Sequence, residues 1–80
     1  MEDKIAVIAI IVKDYESTEK VNSVLHEFRD YVVGRLGIPY KKKNVNVISV
    51  VVDAPQETIN GLPGKLGMIE GVSSKVLTAK

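Results

Sequence analysis

Two stretches of the chain, Ile5–Val12 (IAVIAIIV) and Val45–Val52 (VNVISVVV), are almost unbroken runs of β-branched apolar residues. A strand turns alternate side chains to opposite faces of its sheet, so a run that is apolar at both parities needs cover on both faces. Odd positions of the first run supply Ile5, Val7, Ala9 and Ile11; even positions supply Ala6, Ile8, Ile10 and Val12. A chain of 80 residues has helix enough for one face. The other face is expected to be closed by a second copy. Candidates for that contact are Ile5, Val7, Ile8, Ile10 and Ile11, with Val47, Ile48, Val50 and Val51 from the second run. Which parity faces outward is not written in either run.

Length points the same way. One domain of this size buries only about 60–65% of its unfolded surface, which leaves stability marginal unless a staple or a partner helps. There is no cysteine, hence no disulfide framework and no thiolate metal site, and a reducing cytoplasm suits such a chain. MEDKIAV lacks the basic region and small-residue cleavage site of a signal peptide. The longest apolar run is far below the ~20 residues of a membrane-crossing helix, so a soluble cytoplasmic protein is expected, with no membrane partner. Eleven Lys and Arg against ten Asp and Glu give a net charge of +1, without the basic excess of a dedicated nucleic-acid binder. No direct nucleic-acid contact is expected. The one basic cluster, Lys41–Lys43, reads as a solvated hairpin tip that also keeps the sheet end from pairing with neighbours.

Glu2–Val12 reads as the first strand. A polar turn, Lys13–Glu16, follows, and Ser17 or Thr18 is placed to cap a helix whose stripe is Val21, Val24, Leu25 and Phe28. That helix is expected to end near Arg29 or Asp30. Tyr31–Gly37 reads as a strand weakened by Gly34 and Gly37, at an edge or carrying a bulge, with Ile38-Pro39 leading into the Lys-rich turn. After Val45–Val52, Asp53-Ala54-Pro55 signals a helix start with Asp53 as cap. Ile59, Leu62, Pro63 and Leu66 form the second stripe, Pro63 should kink it, and Gly67 should stop it. Gly71–Ala79 reads as an edge strand with a polar share.

The order is βαββαβ, an α+β fold of the ferredoxin-like type, with both helices on one face of an antiparallel sheet of order 4-1-3-2. That order puts the two continuous apolar runs in the centre. The uncovered face would exceed the apolar patch of an ordinary monomer, so a dimer or a dimer of dimers is predicted.

Few residues carry chemistry. His26, the one histidine, lies on the flank of the first helix stripe, where it packs, faces solvent or joins a ligand site. Arg35 sits on the weak edge strand and could clamp a carboxylate ligand, or simply pair with Glu70 or Asp53. Asp14 and Tyr15 occupy the turn after the first strand, where modules of this topology often meet small molecules. These four are the candidate ligand-binding residues. Gly61, Gly64, Gly67 and Gly71 match no phosphate-loop signature and read as close packing of a helix on the sheet or on a partner. No thiol or triad-like spacing is present, and the loop Lys13–Glu16 lacks the arginine of the acylphosphatase version of this topology. No catalytic residue, no metal ligand set and no cofactor is assigned, and the chain is not expected to be an enzyme.

LHEFRDYVVGRLGIPY (Leu25–Tyr40) and GKLGMIEGVSSK (Gly64–Lys75) are the distinctive segments. On these the chain resembles, over its whole length, the small bacterial proteins labelled iron-only hydrogenase system regulators. The resemblance implies an ACT-like domain related to the regulatory domain of the nickel-responsive repressor, and an oligomeric regulator linked to hydrogenase maturation. That repressor's domain holds metal through several histidines and a cysteine; with one histidine and no cysteine here, nickel sensing does not carry over. Amino-acid-binding ACT domains typically have a glycine in the loop after the first strand, and Lys13–Ser17 has none. Nor is there room before the first strand for a ribbon-helix-helix segment, so transcription regulation would run through a protein partner. Two functions follow: a regulatory module binding a small effector or a partner protein, or a scaffold without a small ligand. A small enzyme of this superfold is a weaker third.

Overall fold

The computed structural model describes residues 2–79. Strands β1 (Lys4–Val12), β2 (Val32–Tyr40), β3 (Val45–Ala54) and β4 (Val72–Thr78) form one sheet, with α1 (Thr18–Glu27) after β1 and α2 (Gln56–Gly67) after β3. The spatial order is β2-β3-β1-β4 and every ladder is antiparallel. Counted from the other edge, this is the 4-1-3-2 order of the ferredoxin-like fold. β1 and β3 are central and in register from Lys4↔Ala54 to Val12↔Asn46.

Parity is now decided. Ala6, Ile8, Ile10 and Val12 of β1 are buried, as are Ile48, Val50, Val52 and Ala54 of β3. They pack with Val21 and Leu25 of α1 and Ile59, Leu62 and Leu66 of α2 in one core. The outward candidates Ile8, Ile10, Ile48 and Val50 are therefore corrected: they lie under the helices, at most 4% exposed. Asn46 shares that buried parity, and its Nδ2 donates to Thr18 Oγ1 at 2.8 Å, which satisfies a polar group the core would otherwise penalise.

Local chemistry shifts several boundaries. β1 begins at Lys4 rather than Glu2. α1 ends at Glu27, where Phe28 leaves helical geometry and a 3-10 turn, Arg29–Tyr31, follows. β2 runs on through Ile38 and Pro39 to Tyr40, with a bulge between Val32 and Gly34. Proline fits there because an edge strand has one side without a ladder, so no bond is lost. The turn is Lys41–Lys43, closed by Asn44 in the left-handed region at φ 56°. Asp53 does not cap α2: it stays in β3 opposite Ile5. Ala54 precedes a proline and so remains extended, and Pro55 starts the helix with its carbonyl accepting from Ile59 N–H at 3.1 Å. Pro63 lies within α2, whose helical span continues to Gly67.

The capping expected of Ser17 and Thr18 is also redistributed. Ser17 Oγ donates to Glu70 O at 2.8 Å, and Asp14 Oδ1 accepts from Glu16 N–H at 3.0 Å instead. Lys13 N–H donates to Gly71 O at 2.8 Å. Gly71 sits at φ +78°, and a Cβ there would lie 3.0 Å from Asp14 Cβ. The connection after β1 and the connection before β4 are thus fastened together. A Cβ on Gly61, Gly64 or Gly67 would meet nothing within 4 Å. Of the two readings expected for these glycines, close packing of α2 on the sheet is therefore not what Gly61, Gly64 and Gly67 serve; contact with a partner is the other.

Candidate functional site

Two surfaces carry the candidates, and the first is the sheet face away from the helices. Odd residues of β1 and β3 point there, and the ladders bring Leu36, Ile38 and Tyr40 of β2 and Leu77 of β4 alongside. Ile5 is 45% exposed, Ile11 43%, Val7 and Val47 38%, and Val51 is half-buried. Of the eight large apolar side chains exposed there (Ile5, Val7, Ile11, Leu36, Ile38, Tyr40, Val47 and Leu77), the summed exposure is on the order of 800 Å², against ~300–600 Å² for the largest patch of a typical monomer. Asp53 and Lys75 are the only charges the four strands place on this face. Clefts of about 370 and 300 Å³ run between β1 and β4, one over Ile5, Val7 and Leu77, the other over Ile11, Ser73 and Lys75.

The second surface lies on the helix side, where β2 is exposed from Val33 onward and only Val32 packs against the core. Between α1 and β2 is a groove of about 420 Å³, lined by Asn22, His26 and Arg29 of the first crossover and by Arg35 of β2, with Leu25, Val32 and Val50 beneath. A shallower pocket of about 190 Å³ continues past Arg35 and Asn22 toward Thr18, Gly37 and Asn46.

Arg35 lies here because its ladder partner is Val50, a helix-side residue. Its Nη2 donates to Asn22 Oδ1 at 2.9 Å, so the expected ion pair with Glu70 or Asp53 is replaced by a neutral amide. Arg29 Nη1 donates to His26 O at 3.0 Å. The one ion pair among the described residues is Lys65–Glu27 at 3.0 Å, with the Lys65 ammonium also 5.4 Å from the Phe28 ring centre.

His26 and Arg35 are therefore brought together, whereas Asp14 and Tyr15 are not: they stand exposed in the turn after β1 and do not line the groove. Asn22 and Arg29 were not singled out from the sequence. The signal was their spacing, since 22, 26 and 29 follow the i, i+4, i+7 pattern of one helix face. Among the described residues no group of three or more His, Cys, Asp or Glu side chains could hold a metal, and no helix is long and apolar enough to cross a membrane.

Comparison with known proteins gives the lineage. Residues 4–76 match the model of the TM1266-like family, described as iron-only hydrogenase system regulator, a label that names a system rather than a ligand or reaction. The uncharacterized protein TM1266 from Thermotoga maritima superposes with a TM-score of 0.93 at 32% identity, over 99% of this chain and 100% of that one. The ACT domain from the GTP pyrophosphokinase of Chlorobium tepidum gives 0.80 at 19% identity, over 94% and 99%. A formyltetrahydrofolate deformylase from Pseudomonas putida KT2440 gives 0.67 at 16%, covering 91% of this chain and 28% of that one. The likeness to the ACT domain establishes an ACT-like fold, and at these identities neither neighbour says anything about ligands. No curated protein matches the chain.

Proposed function

Because the chain belongs to the TM1266-like family of iron-only hydrogenase system regulators, we propose that it is a single-domain cytoplasmic regulatory module that works as a homo-oligomer and binds a small effector or a protein partner. It is a binding module, not a catalyst. The observation that carries the assembly is the bare sheet face. Its apolar exposure is about what one partner contributes to a standard interface, ~800 Å² per side, and its scarcity of charge matches the core of homodimer contacts. A symmetric pair, face to face, closes it with self-complementary surfaces, and two such pairs form a tetramer.

Sedimentation or light scattering on the unmodified chain tests the assembly. Mass at two or four times the 8.8 kDa subunit supports it. A folded species of one subunit over the whole accessible concentration range overturns it. The regulatory half is tested in the native host by replacing the gene with an assembly-defective variant and measuring hydrogenase activity. Unchanged activity would remove the regulatory reading.

A further inference from the structure

We propose that the groove between α1 and β2 is a binding site for a small organic anion, its phosphate or carboxylate head held by Arg35 and Arg29 and its apolar body lying against Val32, above the buried floor of Leu25 and Val50. This deepens the effector reading above and rests on it. Three observations carry it.

The first is charge. The lining holds two arginines and a histidine and no acid, on a protein whose net charge is only +1. Glu27, one residue from His26, is engaged with Lys65. The second is how the guanidiniums are held. Each is oriented by a neutral acceptor, Asn22 Oδ1 for Arg35 and the His26 carbonyl for Arg29, and neither forms an ion pair among the described residues. A guanidinium carries five N–H donors in a planar fork that fits a carboxylate or phosphate bidentately. With one donor used to fix its orientation, Arg35 keeps the rest for a ligand.

The third is the shape and floor. About 420 Å³ lies within the range of small-molecule sites, and Leu25 and Val50, at most 2% exposed, close the bottom. Apolar walls lower the local dielectric and strengthen the attraction of an anion to the two guanidiniums. Asn22 and Arg35 also line the adjoining 190 Å³ pocket, so a longer ligand has a continuation toward Thr18 and Asn46.

The test is amide-resolved NMR titration of the full chain with three separate probes: inorganic phosphate, glycerol 3-phosphate and succinate, each against sodium chloride of matched ionic strength. The expected result is saturable shifts confined to residues 22–35 and 46–50 with at least one probe, absent with chloride. Phosphate-bearing probes alone, or succinate alone, would name the head group. Arg35→Gln should weaken that binding at least tenfold, and Arg35→Lys less; Arg35 is exposed on an edge strand, so both variants keep the fold. No saturable shift with any probe, or equal affinity in wild type and Arg35→Gln, would overturn the site. Because oligomer mass and hydrogenase activity are measured separately, loss of this site leaves the regulatory reading standing, and loss of that reading leaves the titration interpretable.

Discussion

Replacing Ile11 and Ile8 in turn by lysine separates assembly from folding, because neighbours of one strand parity apart face opposite environments. Ile11 is 43% exposed and lies between Val47 and Ser73 on the bare face. Taking roughly 175 Å² for a fully exposed isoleucine, about 75 Å² per subunit remains to be buried, and two copies at ~25 cal/mol per Å² contribute about 4 kcal/mol to a symmetric dimer. Lysine can keep part of its stem on the apolar surface while its ammonium seeks water, so the loss is somewhat smaller. Dissociation is therefore expected to strengthen by two to three powers of ten, at about 1.4 kcal/mol each. The subunit itself should keep its far-ultraviolet circular dichroism. Ile8 is 0% exposed between sheet and helices. An ammonium there costs several kcal/mol, comparable with a total stability of ~4–12 kcal/mol for a chain of this length. Ile8→Lys should be unfolded at every concentration. Light scattering over a dilution series, paired with thermal melts of both variants, reads the two effects. Wild-type mass and dilution behaviour for Ile11→Lys, or unfolding of both variants alike, would refute the assignment of the odd parity to the interface.

Other substitutions probe the fold. Gly71→Ala places a Cβ 3.0 Å from Asp14 Cβ at φ +78°, and should cost about 1–3 kcal/mol, read as a Tm lower by roughly 4–8 °C per kcal/mol. Leu66→Ala empties a fully buried site on α2 and should destabilise by about 2–5 kcal/mol in denaturant unfolding, with the sheet order unchanged. Asn46→Ala removes the donor to Thr18 Oγ1 and should cost about 1–2 kcal/mol, with little further loss when Thr18→Val is added, as a double-mutant cycle would show. Lys65→Met breaks the exposed pair with Glu27 and should change stability by no more than about 1 kcal/mol in urea unfolding.

The topology was legible because its strongest signals are local. Two runs apolar at both parities had to be central strands, and two helical stripes had to cover one side of them. Which side was not legible: Ile8 and Ile11 are the same residue type, and only the docking of Val21, Leu25, Ile59, Leu62 and Leu66 on the even parity tells them apart. Asn46 would have misled a reader seeking the wet face, since its partner, Thr18, is 28 positions away. Pro39 reads locally as a strand end, yet β2 tolerates it as an edge residue. Asp53 resembled a cap because short-range rules ignore its pairing with Ile5. The groove was half visible: His26 and Arg35 drew notice singly, but their meeting depends on α1 crossing beside β2. Asp14 and Tyr15 stand out only by their position in the topology, and that position keeps them out of the groove.

The fastening of Lys13 and Ser17 to Glu70 and Gly71 has a mechanical consequence. It welds the hinge leading into the first helix to the hinge leading out of the second. Displacing either connection breaks the hydrogen bonds that hold the other, so neither can be rearranged alone without that cost.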